Sequence, residues 1–260
     1  MVEESFTVMD NIKLCEGVYK MTLMPSSGYA QSIKCGQFMA VEVPCRQDSL
    51  LKRPFAIYNY DEEKRQISFC YKVVGKGTEH LSRVEKGQAL RGAYPLGNGF
   101  KIDEGQKRVI LVGGGVGIFP LYSVFKAYPD KVFYSVMGFK ERCDVILTKE
   151  FEERSSELIL CTEDGSMGEA GFVTEALRRN IERIMPDLML CCGPRPMLKA
   201  LKDVMRNYPH IPVQVSIEER MACGIGACLV CACAVRKNGK VVNKRVCRDG
   251  PVFSLYEVEL

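Results

Sequence analysis

The chain has 260 residues, room for two domains, or two and a small appendage, at roughly 100–200 residues each. Its 47% hydrophobic and 26% charged residues exclude a disordered or fibrous chain. A net charge of +4, with no basic run interleaved with aromatics, excludes a nucleic-acid binder.

The opening MVEESFTVMD places acids early and has no apolar run before a small-residue cleavage site, so no signal peptide is expected. Residues 1–100 read as strands. Runs such as 37–43 (QFMAVEV) and 66–74 (QISFCYKVV) are rich in β-branched and aromatic residues and bounded by turn formers. Many short strands of this kind predict an antiparallel β-barrel or sandwich. A short helix is predicted over 77–84, with Thr78 as its cap and Glu79 in the first turn.

From Lys107 strands alternate with helices. RVILV is a strand and 118–127 a helix. KVFYSVMG (strand), ILTKEFEER (helix), ELILCTE (strand), FVTEALRRNIERI (helix), DLMLCCG (strand), RPMLKALKDVMRNY (helix) and VQVSIEE (strand) follow. This rhythm predicts a parallel sheet covered on both faces, with ligands bound beyond the carboxyl ends of its strands. The longest uncharged stretch, 109–125, contains four glycines and a proline and is shorter than the ~20 apolar residues of a membrane span. The chain is therefore expected to be soluble and cytoplasmic. A hairpin is predicted around Lys237-Asn238-Gly239-Lys240. The fold class is thus α+β multidomain: an antiparallel barrel over 1–100, an α/β parallel-sheet unit over 101–215 and a small cysteine-rich unit over 216–260.

Thirteen cysteines without secretion point to a reducing compartment, where clustered thiols bind metal more often than they form disulfides. Cys223, Cys228 and Cys231 are spaced C-x4-C-x2-C, and Cys247 follows after fifteen residues. That is the plant-type [2Fe–2S] spacing. Three ligands so close together oblige the backbone to wrap a small inorganic core, which Gly224 and Gly226 permit, and backbone N–H groups there can donate to the cluster sulfurs. The competing readings are a four-cysteine zinc site, which usually pairs two short knuckles, and buried thiols acting as small hydrophobes. Cys233 fits neither gap. Cys15, Cys35, Cys45, Cys70, Cys143, Cys161, Cys191 and Cys192 read mainly as packing residues.

Two further loops bear on binding. Gly113, Gly115 and Gly117 open G-x-G-x-G-x-x-P after RVILV; Ile118 stands where the dinucleotide fingerprint needs its last glycine. The glycines still allow a pyrophosphate close to helix-terminal N–H groups. Cys192-Gly193-Pro194 forms a second loop between a strand and a helix, so one nucleotide can touch both. Lys140, Glu141, Arg142 and Asp144 point both ways between NAD and NADP. In the first unit Arg53-Pro54-Phe55-Ala56 and Tyr71-Lys72…Gly77-Thr78 combine a cation with a Gly-Thr helix start. They read equally as a pyrophosphate clamp and as an ordinary strand edge and cap.

Taken in order, RPFA, GKGT, GGGVGIFP, CGPRPM and the terminal cysteines resemble the ferredoxin–NADP reductase superfamily with a cluster domain appended. More closely, EERMACGIGAC at 218–228 and RVCRDGPVF at 245–253 are similar to the electron-transfer subunits of dihydroorotate dehydrogenase B. The resemblance spans essentially the whole chain. It implies FAD on Arg53, Pro54, Phe55, Ala56, Tyr71, Lys72, Gly77 and Thr78, with Ser216 and Glu218 near the flavin ring. It implies NAD, as substrate, on Gly113, Gly115, Gly117, Cys192, Gly193 and Pro194, and a [2Fe–2S] cluster on Cys223, Cys228, Cys231 and Cys247. It also implies an FMN-containing catalytic subunit that oxidises dihydroorotate in pyrimidine biosynthesis, in a heterotetramer of two of each. Electrons would pass from that FMN through cluster and FAD to NAD. Ala56 stands where the family commonly has Ser, and Tyr94 where a glycine precedes Pro-Leu-Gly, which is expected to alter the wall near the flavin.

The chain carries no triad or paired-acid site, and His80 and His210 are isolated, so substrate oxidation is assigned to the partner. Two other functions fit parts of the sequence: the small subunit of an NAD(P)H:ferredoxin transhydrogenase or sulfide dehydrogenase, and a non-catalytic zinc-stabilised binding module.

Overall fold

A computed structural model of the chain describes residues 1–28, 33–44 and 50–260; Cys45 lies outside them. Six strands come first: β1 (Val2–Cys15), β2 (Val18–Pro25), β3 (Phe38–Val41), β4 (Arg53–Asp61), β5 (Gln66–Lys72) and β6 (Ala89–Leu96). They close into an antiparallel barrel in the order β1-β2-β5-β4-β3-β6. Closure follows from alternation: Ile67, Phe69 and Tyr71 on β5 all face the barrel core with Phe6, Val8, Met21, Leu23, Met39 and Val41, as a period of two requires.

Tyr94 belongs to that core. It is fully buried, meets Phe6 edge-to-face at 5.3 Å and donates from its hydroxyl to Glu4 Oε1 at 3.0 Å. The expected change in the flavin wall at this position is therefore corrected: strand alternation turns the ring inward, away from the cleft. The predicted short helix is α1 (Lys76–Ser82), with Gly75 rather than Thr78 as its cap. Thr78 lies inside the first turn and reaches back, its hydroxyl accepting from Val74 N at 2.9 Å and donating to Gly75 O at 3.0 Å.

The second unit comprises β7 (Arg108–Gly114), α2 (Phe119–Ala127), β8 (Val132–Phe139), α3 (Thr148–Glu152), β9 (Glu157–Thr162), β10 (Glu169–Ala170), α4 (Val173–Ile184), β11 (Leu188–Cys192), α5 (Arg195–Met205) and β12 (Val213–Ser216). A 3₁₀ turn over Gly115–Ile118 replaces the predicted helix start. On β7, Val109 and Leu111 pack with α2 and Phe151, while Ile110 and Val112 pack with α4 and α5. A central strand buried on both faces needs such a continuous apolar run, and RVILV supplies it.

The remaining elements are β13 (Ala232–Lys237), β14 (Lys240–Arg245), α6 (Val246–Asp249) and β15 (Val252–Ser254). Asn238 and Gly239 have φ of 51° and 76°, the left-handed pair of a tight hairpin turn. The large sheet runs β10-β9-β8-β7-β11-β12-β15. Its strands are parallel except β15, which returns antiparallel to β12. The sequence reading did not anticipate that return, because three residues after a Gly-Pro carry no periodic signal. Among the described residues no helix is long and apolar enough to cross a membrane.

The units share interfaces. Tyr58 of the barrel stacks on Tyr122 of α2 at 4.4 Å, and Gly36 N donates to Ser123 Oγ. Asn98, just past β6, donates to Asp249 O and Val252 O and accepts from Val252 N. These bonds fasten the cysteine-rich segment to the rim of the barrel.

Candidate functional site: two joined cavities and four thiols

The first cavity, ≈ 310 Å³, opens between barrel and sheet. Arg53, Pro54, Phe55 and Ala56 of β4, Tyr71 and Lys72 of β5, and Thr78 of α1 line it. Gly77 supports it from behind: a Cβ there would lie 3.0 Å from Arg53 Nε, so the bare glycine lets the guanidinium lie against the turn. Tyr71 is held by its hydroxyl, which donates to Asn11 Oδ1 at 3.0 Å. The opposite wall is Cys192, Ser216, Glu218 and Met221. Cations beside flat apolar walls fit a dinucleotide with a planar ring system, pyrophosphate to Arg53 and Lys72 and ring to Phe55 and Tyr71. Ala56 offers this wall no hydroxyl; Ser216 lies across the cavity, where it hydrogen-bonds the Cys192 thiol. Glu218 is open to the cavity yet hemmed in by protein, and desolvation raises its carboxyl.

The second cavity, ≈ 570 Å³, lies over the carboxyl ends of β7, β8, β9 and β11. Gly115 and Pro194 line it. Gly113 and Gly117 act one layer below: a Cβ on Gly117 would sit 2.3 Å from Cys192 O, and one on Gly113 2.5 Å from Ile118 Cγ2. Gly193 packs likewise against Met197 and Gly114 N. The two predicted loops therefore meet backbone to backbone. Glu163 and Phe172 also line this cavity, and the sequence reading missed both. An acid directly after the strand ELILCT was the available signal. Val116 and Lys72 line both cavities, so the two adjoin there.

The four motif cysteines form two pairs. Cys231 Sγ and Cys247 Sγ are 3.2 Å apart, and Cys228 N donates to Cys223 Sγ at 3.4 Å. Backbone N–H groups, chiefly of Ile225 and then Cys228, pull the Cys223 thiol down to about 6, so a thiolate is favoured there. Burial and the neighbouring Cys231 push Cys247 up to about 12. Gly224 and Gly226 take φ of 70° and 84°, bringing those N–H groups round. Among the described residues no three His, Cys, Asp or Glu converge on a single-ion site. Two thiol pairs rather than one tetrahedron suit a two-iron cluster, in which each iron takes two protein ligands. The donor set fits that group.

Cys233, on β13, is buried and kept protonated chiefly by desolvation, outside both pairs. Cys35, Cys70, Cys161, Cys191 and Cys192 are buried as packing residues, whereas Cys143 is exposed and Cys15 half-buried. Arg245 donates to Asp249 Oδ2 and Gly226 O, tying the cysteine loop to α6. Arg195, opening α5, pairs with Glu219.

Similarity to known proteins accords with this geometry. Residues 218–259 match the model of the iron–sulfur cluster binding domain of dihydroorotate dehydrogenase B, and residues 111–203 match an oxidoreductase NAD-binding domain. The chain is 42% identical over 251 residues to the dihydroorotate dehydrogenase B (NAD(+)) electron transfer subunit of Caldanaerobacter subterraneus, covering 96% of each chain. This chain belongs to that family. A second member, from Bacillus pumilus, is 39% identical over 265 residues, covering 100% of this chain and 99% of its own. An NADH-dependent reduced ferredoxin–NADP oxidoreductase, described with flavin-based electron bifurcation, superposes with a TM-score of 0.86 at 30% identity, covering 98% of this chain and 89% of that one. Phthalate dioxygenase reductase shares the fold at 18% identity and a TM-score of 0.67, covering 94% of this chain and 76% of its own. As a member of the electron-transfer subunit family, the chain is an NAD-linked flavin and iron–sulfur oxidoreductase subunit.

Proposed function

We propose that this chain carries electrons between an FMN-containing dihydroorotate dehydrogenase subunit and NAD, in a cytoplasmic heterotetramer of two of each. The observation that carries the reading is continuity. The larger cavity adjoins the smaller at Val116 and Lys72, which line both, and Met221 of the smaller cavity's wall stands two residues before Cys223.

The reading assigns residues 1–100 to FAD, 101–215 to NAD and 216–260 to the cluster. Arg53 and Lys72 would neutralise the FAD pyrophosphate, with Gly77 leaving room for the guanidinium. Pro54, Phe55, Ala56 and Tyr71 would wall the ring, and Thr78 fixes the turn beside them. Gly115 and Pro194 would touch NAD, while Gly113, Gly117, Cys192 and Gly193 hold the two loops in register. Cys223, Cys228, Cys231 and Cys247 would hold the irons, and the N–H groups over Cys223 would stabilise its charge. A bound FAD would exchange two electrons with nicotinamide and one at a time with an iron–sulfur cluster, which is why the smaller cavity must adjoin both the larger cavity and the thiols. This chain's part is placement: it aligns the ligands.

Higher identity to the dihydroorotate family than to the bifurcating oxidoreductase favours this reading over a transhydrogenase subunit. The test is Cys228→Ser in the complex with the partner. Flavin should still be reduced by NADH, while the cluster's visible and electron paramagnetic resonance signals and orotate-linked NAD reduction are lost. Normal electron delivery in that variant would refute the route.

A further inference from the structure

The four motif cysteines come from three pieces of chain: a loop with Cys223 and Cys228, the turn before β13 with Cys231, and α6 with Cys247. One residue joins all three. Arg245 closes β14 opposite Ala232, and directly after it Val246 N donates to Cys231 O at 2.9 Å. Its guanidinium then reaches two ways. Nη1 donates to Gly226 O at 3.2 Å, inside the loop between Cys223 and Cys228. Nε donates to Asp249 Oδ2 at 3.1 Å, two residues past Cys247.

The same Asp249 oxygen accepts from Arg245 N at 2.8 Å, so the arginine is fixed at its root as well as at its tip. One edge of the guanidinium meets the carboxylate of α6, and the other meets the cysteine loop. The line continues to the flavin unit, where Asn98 Nδ2 donates to Asp249 O at 3.1 Å. Hydrogen bonds therefore run from the barrel rim through Asp249 and Arg245 to the loop that holds Cys223 and Cys228. The two charged side chains are 30% and 23% exposed. A pair this accessible to solvent adds little stability; what it supplies is a cation held in one place beside the thiols. A two-iron cluster on four thiolates is anionic and gains a further negative charge on reduction, and its potential responds to charge and hydrogen bonds around it.

We infer that Arg245 is a positioning residue of the iron site: it braces the cysteine loop against α6 and raises the cluster's potential, while Asp249 offsets part of its charge. The inference rests on the assignment of Cys223, Cys228, Cys231 and Cys247 to a [2Fe–2S] cluster. Arg245 acts through the loop it holds and through its field. Removing it and removing its counter-ion therefore have opposite signs, which loosening of the loop alone does not give.

The experiment is a redox titration of the FAD- and cluster-loaded chain in complex with its partner, with the reduced cluster followed by electron paramagnetic resonance. Iron and flavin are measured on the same samples. Arg245→Gln should disfavour cluster reduction by about tenfold, or about 59 mV for a one-electron couple, moving the midpoint negative. Asp249→Asn should move it positive, and Arg245→Lys, which keeps the charge, should restore most of the loss. Arg248→Gln is the control. Its side chain is exposed and packs by the same loop, its Cδ 2.8 Å from where a Cβ on Gly226 would lie; it should shift the midpoint less than Arg245→Gln does. A midpoint within about twofold of the unaltered complex in Arg245→Gln overturns the inference. So do shifts of one sign in Arg245→Gln and Asp249→Asn, or an equal shift from Arg248→Gln. Should Arg245→Gln lose its iron, Asp249→Asn decides: a positive shift supports the inference, and a negative or absent one overturns it. An unaltered complex that holds flavin but no iron removes the cluster assignment and the inference together, whereas a loaded complex indifferent to these variants removes the inference alone.

Discussion

Gly117 offers the sharpest test of how the two nucleotide loops work together. A methyl group in place of its hydrogen would lie 2.3 Å from Cys192 O, 2.6 Å from Cys192 C and 2.7 Å from Gly193 Cα. All three are backbone atoms, two on the buried end of β11 and one in the loop that follows it, so no rotamer change relieves the contact. Restoring an ordinary 3.4 Å approach obliges the loops to part by about 1.1 Å. Overpacking of this kind costs about 1–3 kcal/mol. A displacement of about 1 Å in a positioning element can slow turnover by about a hundredfold. Gly117→Ala is therefore expected to lower the urea midpoint measurably and to weaken NADH use by tenfold or more, while flavin content stays normal. The assays are urea unfolding followed by tryptophan-free far-ultraviolet circular dichroism, flavin absorbance of the purified chain, and NADH titration. Unchanged stability with unchanged NADH use would refute the backbone contact as the organising feature of the site.

Two other perturbations probe different parts. Arg53→Ala should reduce FAD retention through gel filtration, since it removes the guanidinium that lies against Gly77; undiminished flavin content would exclude Arg53 from the site. Asp187, whose Oδ2 accepts from Lys107 N at 2.9 Å and Arg108 N at 2.8 Å, is held below its ordinary 3.8, chiefly by the Arg108 N–H. A lowered folded-state value means stability present above pH 3.8 and lost as pH falls through and below it. Asp187→Asn should accordingly flatten the acid limb of a stability–pH curve, and an unaltered limb would refute the assignment.

The strongest patterns in the chain were the easiest to read. RVILV and its successors gave the parallel sheet because runs apolar on both faces have no other stable home, and Asn-Gly gave the hairpin because both residues tolerate left-handed φ. The cysteine spacing likewise picked out four thiols, which the fold brings together as two pairs. Tyr94 was misjudged because a family glycine suggests a cleft wall, whereas strand alternation turns this side chain into the barrel. Thr78 was misplaced by a few positions because a hydroxyl can cap a helix from within as well as from its edge. The roles of Gly113 and Gly117 were legible only as tolerance for close approach. The partner of Gly117 in that approach, the Cys192 carbonyl, is about 75 residues away and became visible only in three dimensions. Asn98 carried no signal at all, since one side chain bonding three backbone groups across 150 positions leaves no local pattern.

The antiparallel return of β15 beside β12 has a consequence for how such a chain can be rearranged. The iron-binding stretch leaves the large sheet at Ser216 and rejoins it at Val252, on neighbouring strands in register, so it is stapled at both feet rather than hung from a tether. It cannot swing like a carrier arm, nor be trimmed away as a terminal module. Cutting after Ser216 would strip the cover from β12 and leave an open edge ready to pair with another molecule. A truncated version built to keep only the flavin and nucleotide units should be sticky, and exchange of this segment between related reductases should succeed only if β15 travels with it.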